Sequence, residues 1–176
     1  MGSNIILAMG AIVIFGTFLA SSNHLMMGNT QIAEQNEYYI TALSLAQSLI
    51  EEAKTKSFDQ KTVSTPDSLS VVLGTDGLAE QVPNPDILVS STPYTASNPG
   101  YLSNTKFNDV DDYNGYTRLV NTPRAEGYTI HSAVAYASPT YPDSTKLAQT
   151  YCKRMTVTVK SRYMPDSLKI SYVFTY

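Results

Sequence analysis

Ile5-Ile6-Leu7-Ala8-Met9-Gly10-Ala11-Ile12-Val13-Ile14-Phe15-Gly16-Thr17-Phe18-Leu19-Ala20 is a single apolar block, and no Asp, Glu, Lys or Arg precedes Glu34. As a helix the block is about 24 Å long against a hydrocarbon core of roughly 30 Å, and the milder stretch through Met27 makes a span feasible. A secretory signal peptide has a similar apolar core but carries a basic segment ahead of it. Met1-Gly2-Ser3-Asn4 has no basic side chain, while Ala20-Ser21-Ser22 is compatible with cleavage, so both readings stand at this point.

The chain beyond the block decides between a short anchor and a longer rod. Gln31 to Phe58 contains no Pro or Gly, and Tyr39, Leu43, Ala46, Ile50 and Ala53 recur at the four-and-three spacing of one helical face. Ala42, Leu45 and Leu49 widen that face, and Glu34, Glu37, Glu51, Glu52, Lys54 and Lys56 occupy the remainder. Joined, the two patterns make a helix from about residue 4 to 57, some 80 Å at 1.5 Å per residue. Its weak point is Ser21, Ser22, Gly28 and Asn29, where glycine and local side-chain bonding compete with the helical ladder, and a break, as a kink or a short unwound stretch, is expected between residues 21 and 30.

The last sixty or so residues read as sheet. Tyr128, Ile130, Ser132, Val134 and Tyr136 alternate with Thr129, His131, Ala133 and Ala135, and Met155, Val157 and Val159 alternate with Arg154, Thr156, Thr158 and Lys160. Leu168, Ile170, Tyr172, Phe174 and Tyr176 share one face of the last strand, and Met164-Pro165-Asp166-Ser167 supplies the reversal before it. With a first strand at about 116–121 the expectation is a four-stranded antiparallel meander, covered on one face by the apolar side of residues 39–53. The fold class is therefore α+β, with three regions: an N-terminal helix over 1–58, a Ser/Thr/Pro-rich surface region over 59–106, and a sheet head over 107–176.

This order of parts, with the apolar run from Ile5, the continuation Ala42-Leu43-Ser44-Leu45-Ala46-Gln47-Ser48-Leu49-Ile50-Glu51-Glu52-Ala53-Lys54 and the closing Lys56-Ser57-Phe58-Asp59, resembles the type IV pilin superfamily. Members have a long N-terminal helix, a variable region and a C-terminal antiparallel sheet laid across the helix's second half. Bacterial relatives usually carry Glu at the fifth mature position, where this chain has Ile5. The resemblance also implies a leader removed by a prepilin peptidase and methylation of the new N-terminus, which falls on Met1 if that residue is the mature first one. It further implies Ile5, Leu7, Ile12, Ile14, Phe15, Phe18 and Leu19 as the filament core of a helical homo-oligomer at the bacterial surface. Before assembly the subunit would sit in inner-membrane lipid and be handled by pilus or secretion machinery. Two other readings stay open: a pseudopilin or minor pilin of a type II secretion or DNA-uptake apparatus, and a monomeric membrane-anchored envelope protein that binds a ligand.

Residues 62–105 hold Pro66, Pro83, Pro85, Pro93 and Pro99 among small polar side chains, which suits a surface excursion with at most short strands at Ser70 to Leu73 and Ile87 to Val89. Its composition also suits O-linked glycosylation. Next, Asp109, Asp111, Asp112 and Asn114 put three carboxylates and an amide within six positions, a donor set a hard cation such as calcium can use. Gly115 and Val120 fall where an EF-hand needs other residues, so the competing reading is an Asx-type turn through Asn114-Gly115 into the strand at Tyr116.

The rest of the chain argues against chemistry. A net charge of −3 with scattered basic residues gives no footprint for nucleic acid. Cys152 is the sole cysteine and sits in an alternating apolar run, where burial is expected. His24 and His131 lack partners at metal-ligand spacing, and no phosphate loop or nucleophile elbow occurs, so no enzyme, cofactor or resident metal is expected.

Overall fold

The computed structural model describes residues 2–66, 68–75, 78–88 and 100–176, with side chains from Asn4 onward. Two compact units separate between Tyr38 and Tyr39. The architecture is α+β, a long N-terminal helix and a five-stranded sheet.

Helix α1 spans Gly2–Lys54. The unwound stretch expected at Ser21, Ser22, Gly28 and Asn29 does not occur, since all four are helical. Local chemistry explains the correction. Thr30, at the end of that stretch, donates its hydroxyl back to Met26 O at 3.0 Å, so this side chain bonds within the ladder instead of replacing it. Gly28 costs about 1 kcal/mol relative to Ala, less than the several unsatisfied groups that two new helix ends would expose. Met1, the expected methylation position, lies outside the described residues.

In the second unit the last turns of α1 bury Ala42, Ala46, Leu49, Ile50 and Ala53. These positions share one face, rotated from the expected centre toward the residues that widen it. Leu43, expected on the buried face, is 37% exposed. The small Ala side chains on this face let other core residues approach the helix closely. The helix ends in tight i→i+3 bonds, Thr55 N to Glu52 O and Lys56 N to Ala53 O, both 3.1 Å. Ser57 then pairs with Asp109 as an isolated bridge, through Ser57 N to Asn108 O and Val110 N to Ser57 O. Asp59 caps the short helix α2 (Gln60–Ser64) by accepting from Lys61 N.

The sheet runs β1 (Asp86–Ile87), β2 (Thr117–Val120), β3 (Tyr128–Tyr136), β4 (Cys152–Lys160) and β5 (Leu168–Thr175), in that spatial order. Strands β2 to β5 form the expected antiparallel meander, in registers that include Ile130↔Val159 and Val157↔Ile170. The fifth strand is a correction: β1 adds to β2 in parallel, making the sheet mixed. Its residue Ile87 lies within the expected Ile87 to Val89 strand, whose end at Val89 falls outside the described residues. At Ser70 to Leu73, where at most a short strand was expected, no strand forms, and Ser70 N donates to Asp59 Oδ2 instead of to a neighbouring strand.

Alternation is clean on the central strands. Tyr128, Ile130, Ser132, Val134 and Tyr136 of β3 and Met155, Val157 and Val159 of β4 are buried, as is Cys152. Gly115, at φ +78°, makes the left-handed step into β2 after the 3-10 turn Asp111–Tyr113. At the other end Lys54 lies 4.3 Å over the Tyr172 ring, tying the helix terminus to β5.

Because Leu49 is fully buried and Leu43 is not, Leu49→Ala should cost about 2–5 kcal/mol and Leu43→Ala under about 1 kcal/mol. Urea denaturation of both variants measures the difference, and equal costs would place the helix face wrongly.

Candidate functional site

Two features are candidates, one in each unit. In the first unit, Ile5, Leu7, Ile12, Ile14, Phe15, Phe18 and Leu19 are all exposed, from 47% at Leu19 to 71% at Ile12. The helix contains a window with mean hydropathy 2.2 and none of it buried, long and apolar enough to cross a membrane. Side chains of this kind cost roughly 25 cal/mol for each Å² left in water, so the surface needs an apolar cover.

The second feature is a pair of buried charge centres in the head. Arg118 of β2 points into the core, with Nη2 at 2.6 Å from Glu52 Oε2 of α1 and 2.7 Å from Ser103 Oγ, and Nε donating to Tyr116 OH at 2.9 Å. Its guanidinium carbon sits 4.0 Å from the Tyr101 ring centroid. Glu52 Oε1 accepts from Ser103 Oγ at 2.7 Å and Tyr113 OH at 3.0 Å, and Asp86 accepts from the Ser103 amide and from Tyr116 OH. Burial works against the Arg118 charge, but the facing Glu52 more than offsets it and holds the proton on.

Lys153 of β4 forms the other centre and is fully buried. Its Nζ donates to Phe58 O at 2.8 Å and to Asp59 Oδ2 at 2.9 Å, and lies 2.6 Å from Asp111 Oδ1. The Phe58 ring covers it at 4.5 Å. Asp59 is saturated, accepting from Lys61 N and Ser70 Oγ on one oxygen and from Ser70 N and Lys153 on the other. Burial opposes its charge, but the Ser70 amide and Lys153 outweigh that and hold the carboxyl below its ordinary range. Asp111 is the opposite case. Both of its oxygens are buried without an aligned hydrogen bond among the described residues, and burial, only partly opposed by Lys153, pushes its carboxyl up to about 7.

The four residues singled out for calcium therefore separate. Asp109 and Asp111 come together with Asp59, one oxygen of each lying within 4.8 Å of the others. Lys153 supplies the cation among them. Asp112 instead accepts from Asn108 N at 2.8 Å, and Asn114 turns away, donating to Leu73 O and accepting from Val134 N. The Asx-type turn is present, with Asp109 Oδ1 accepting from Asp111 N at 2.8 Å. His131 meets a hydroxyl on the outer sheet face, Thr117 Oγ1 at 3.1 Å from Nδ1.

Asp59, Glu52, Arg118 and Lys153 were not singled out as site residues from the sequence, although the signal for Lys153 was present. One step back along the alternation of Met155, Val157 and Val159 lands on Lys153, so a cation occupies a core position and demands a buried counter-charge. Compared with known proteins, the chain matches no protein family, no curated protein and no solved structure.

Removing the charge of Glu52 by Glu52→Gln leaves Arg118 buried without a counter-ion and should cost about 3–5 kcal/mol in urea denaturation. Burial pushes Asp112 up to about 6 from 3.8, the Asn108 amide opposing this and Asp109 and Glu80 adding repulsion. Its contribution to stability is thus complete below about 3.8 and lost as pH rises through about 6. Asp112→Asn keeps the acceptor for Asn108 N, so its thermal midpoint between about pH 4 and about pH 7 should fall less steeply than the parent's. Equal slopes by circular dichroism would count against this assignment.

Proposed function

We propose that the chain is a structural subunit of a type IV pilus-like surface filament, assembled through the apolar half of α1. The observation that carries the reading is the run from Asn4 to Ala33, which has no charged side chain and whose large apolar residues are exposed. In a membrane, lipid satisfies such a surface. Outside it, neighbouring copies must bury the same residues, and staggered parallel helices do so along a filament axis.

Because lipid is as apolar as Leu, the gain on leaving it has to come from close packing between helices. Gly10 and Gly16 support this. Among the described residues nothing lies within 4 Å of where a Cβ would stand on either, so these make no use of their smallness. An approaching backbone would. Ala8, Ala11 and Ala20 extend the same low-relief surface. A subunit that remained a single-pass anchor would need the apolar residues but not the glycines.

That contrast gives the test. Ile12→Lys, costing about 2.5–3.5 kcal/mol at the centre of an apolar span, should remove the protein from sheared filaments. Gly16→Leu should leave it in the membrane fraction at parental amounts while lowering filament yield at least several-fold. Electron cryomicroscopy of the sheared fraction identifies the subunit by its side-chain density. Filaments of normal yield from both variants would defeat the shared-core reading, and protein confined to the membrane in the parent strain would favour the lone anchor.

A further inference from the structure

The Lys153 centre is built as a reaction site as much as an ion pair. A primary amine and two carboxyl groups sit in van der Waals reach, all of them buried, beneath the Phe58 ring at 4.5 Å and the Tyr136 ring at 5.4 Å. The two carboxyl groups are not equivalent. Asp59 has every oxygen bonded and stays anionic, which makes its carbon a poor electrophile. Among the described residues Asp111 accepts no aligned hydrogen bond on either oxygen, and its Oδ1 is 2.6 Å from Nζ.

We propose that Lys153 and Asp111 condense to an intramolecular amide, joining β4 covalently to the turn at Asp111–Tyr113. The starting pair, ammonium and carboxylate, becomes amine and carboxylic acid by one proton transfer between Nζ and Oδ1. The amine lone pair then adds to Asp111 Cγ, forming the C–N bond, and a Cγ–O bond breaks. Two of the three ammonium protons end on the departing oxygen, which leaves as water. Asp59 Oδ2, already accepting from Nζ at 2.9 Å, is placed to take the amine proton and return it to that oxygen. No oxidant, cofactor or second reactant is consumed.

Three circumstances favour the step. Fixing both groups in contact replaces a bimolecular encounter with an intramolecular one, for which effective molarities reach about 10⁵–10⁸ M. Burial and the neighbouring charges of Asp109 and Asp59 favour the neutral acid of Asp111, the form that reacts, with its carboxyl pushed up to about 7. The product is a neutral amide in place of two buried charges that are expensive to keep out of water. This inference rests on the head alone and holds whether or not the filament reading does.

Intact-mass spectrometry under denaturing conditions, on the full chain purified in detergent and held folded at neutral pH, reads the outcome directly. The chain should be lighter than its sequence by one water. Trypsin should release a branched peptide joining Phe107–Arg118 to Leu147–Arg154, uncleaved after Lys153 because its amine is acylated. Lys153→Arg, which keeps the positive charge but cannot form this bond, should have the full sequence mass. So should Asp111→Ala, while Asp111→Asn should lose one ammonia and Asp59→Asn should slow the linkage. Parent protein that keeps its full mass after prolonged folded incubation overturns the proposal. So does a lost water that maps to a single linear peptide, or one that persists in Asp111→Ala.

Discussion

Two cations on core-facing strand positions, Arg118 and Lys153, dictate how the head closes. A buried guanidinium or ammonium without a counter-charge would cost several kcal/mol, so each strand can pack only where a carboxylate meets it. Arg118 finds Glu52 on the last turns of α1, and Lys153 finds Asp59 just beyond the helix end and Asp111 on the turn before β2. Apolar contacts between helix and sheet tolerate sliding by a residue or a turn, but these pairs do not. They hold residues 52 to 59 against two different strands at once, and the Ser57–Asp109 bridge lies between them.

The same requirement explains why Ser70, Asp86 and Ser103 of the Ser/Thr/Pro-rich region are buried although its composition offers little to bury. Asp86 and Ser103 are fully buried and Ser70 nearly so, and each is drawn in by a polar partner: Asp86 by the Ser103 amide and Tyr116, Ser103 by Glu52 and Arg118, Ser70 by Asp59. Hydrogen bonds to charged groups are worth about 1.5–3 kcal/mol each, enough to pin a segment that hydrophobic contacts alone would release. The short parallel strand β1 follows from that anchoring, since Asp86 is one of its two residues.

The meander was legible because β3 and β4 alternate in burial over eight or nine residues, long enough for period two to stand out, whereas in β5 the alternation holds in sequence alone, with Tyr172 exposed and Val173 half-buried. The fifth strand was not, since two residues carry no periodicity and β1 pairs through position rather than pattern. The helix was legible in extent but not in continuity. Ser, Asn and Gly carry local penalties that a reader of sequence adds up, whereas the cost of opening a long ladder belongs to no single residue. The charge centres were half legible. Asp109 and Asp111 stood out as a cluster, but the acid that joins them, Asp59, is fifty residues earlier, and chain separation of that kind leaves no mark in spacing.

A subunit pulled through its helix, as the filament reading requires, would load the head at the end of α1. Force would leave the helix through Glu52 to Arg118 of β2 and through Lys54 to Tyr172 of β5, and beyond Lys54 it would meet the Ser57 bridge and the Asp59 cap. Backbone bridges of two hydrogen bonds yield readily, and so do ion pairs once water enters. An amide between Lys153 and Asp111 would carry that load differently. Asp111 lies two residues from the strand of the bridge, and Lys153 begins the inner row of β4, which is bonded on both sides along its length. Tension entering at Ser57 would cross to the turn and pass by covalent bonds into a central strand, so that the sheet would have to shear as a whole before the helix could separate from it.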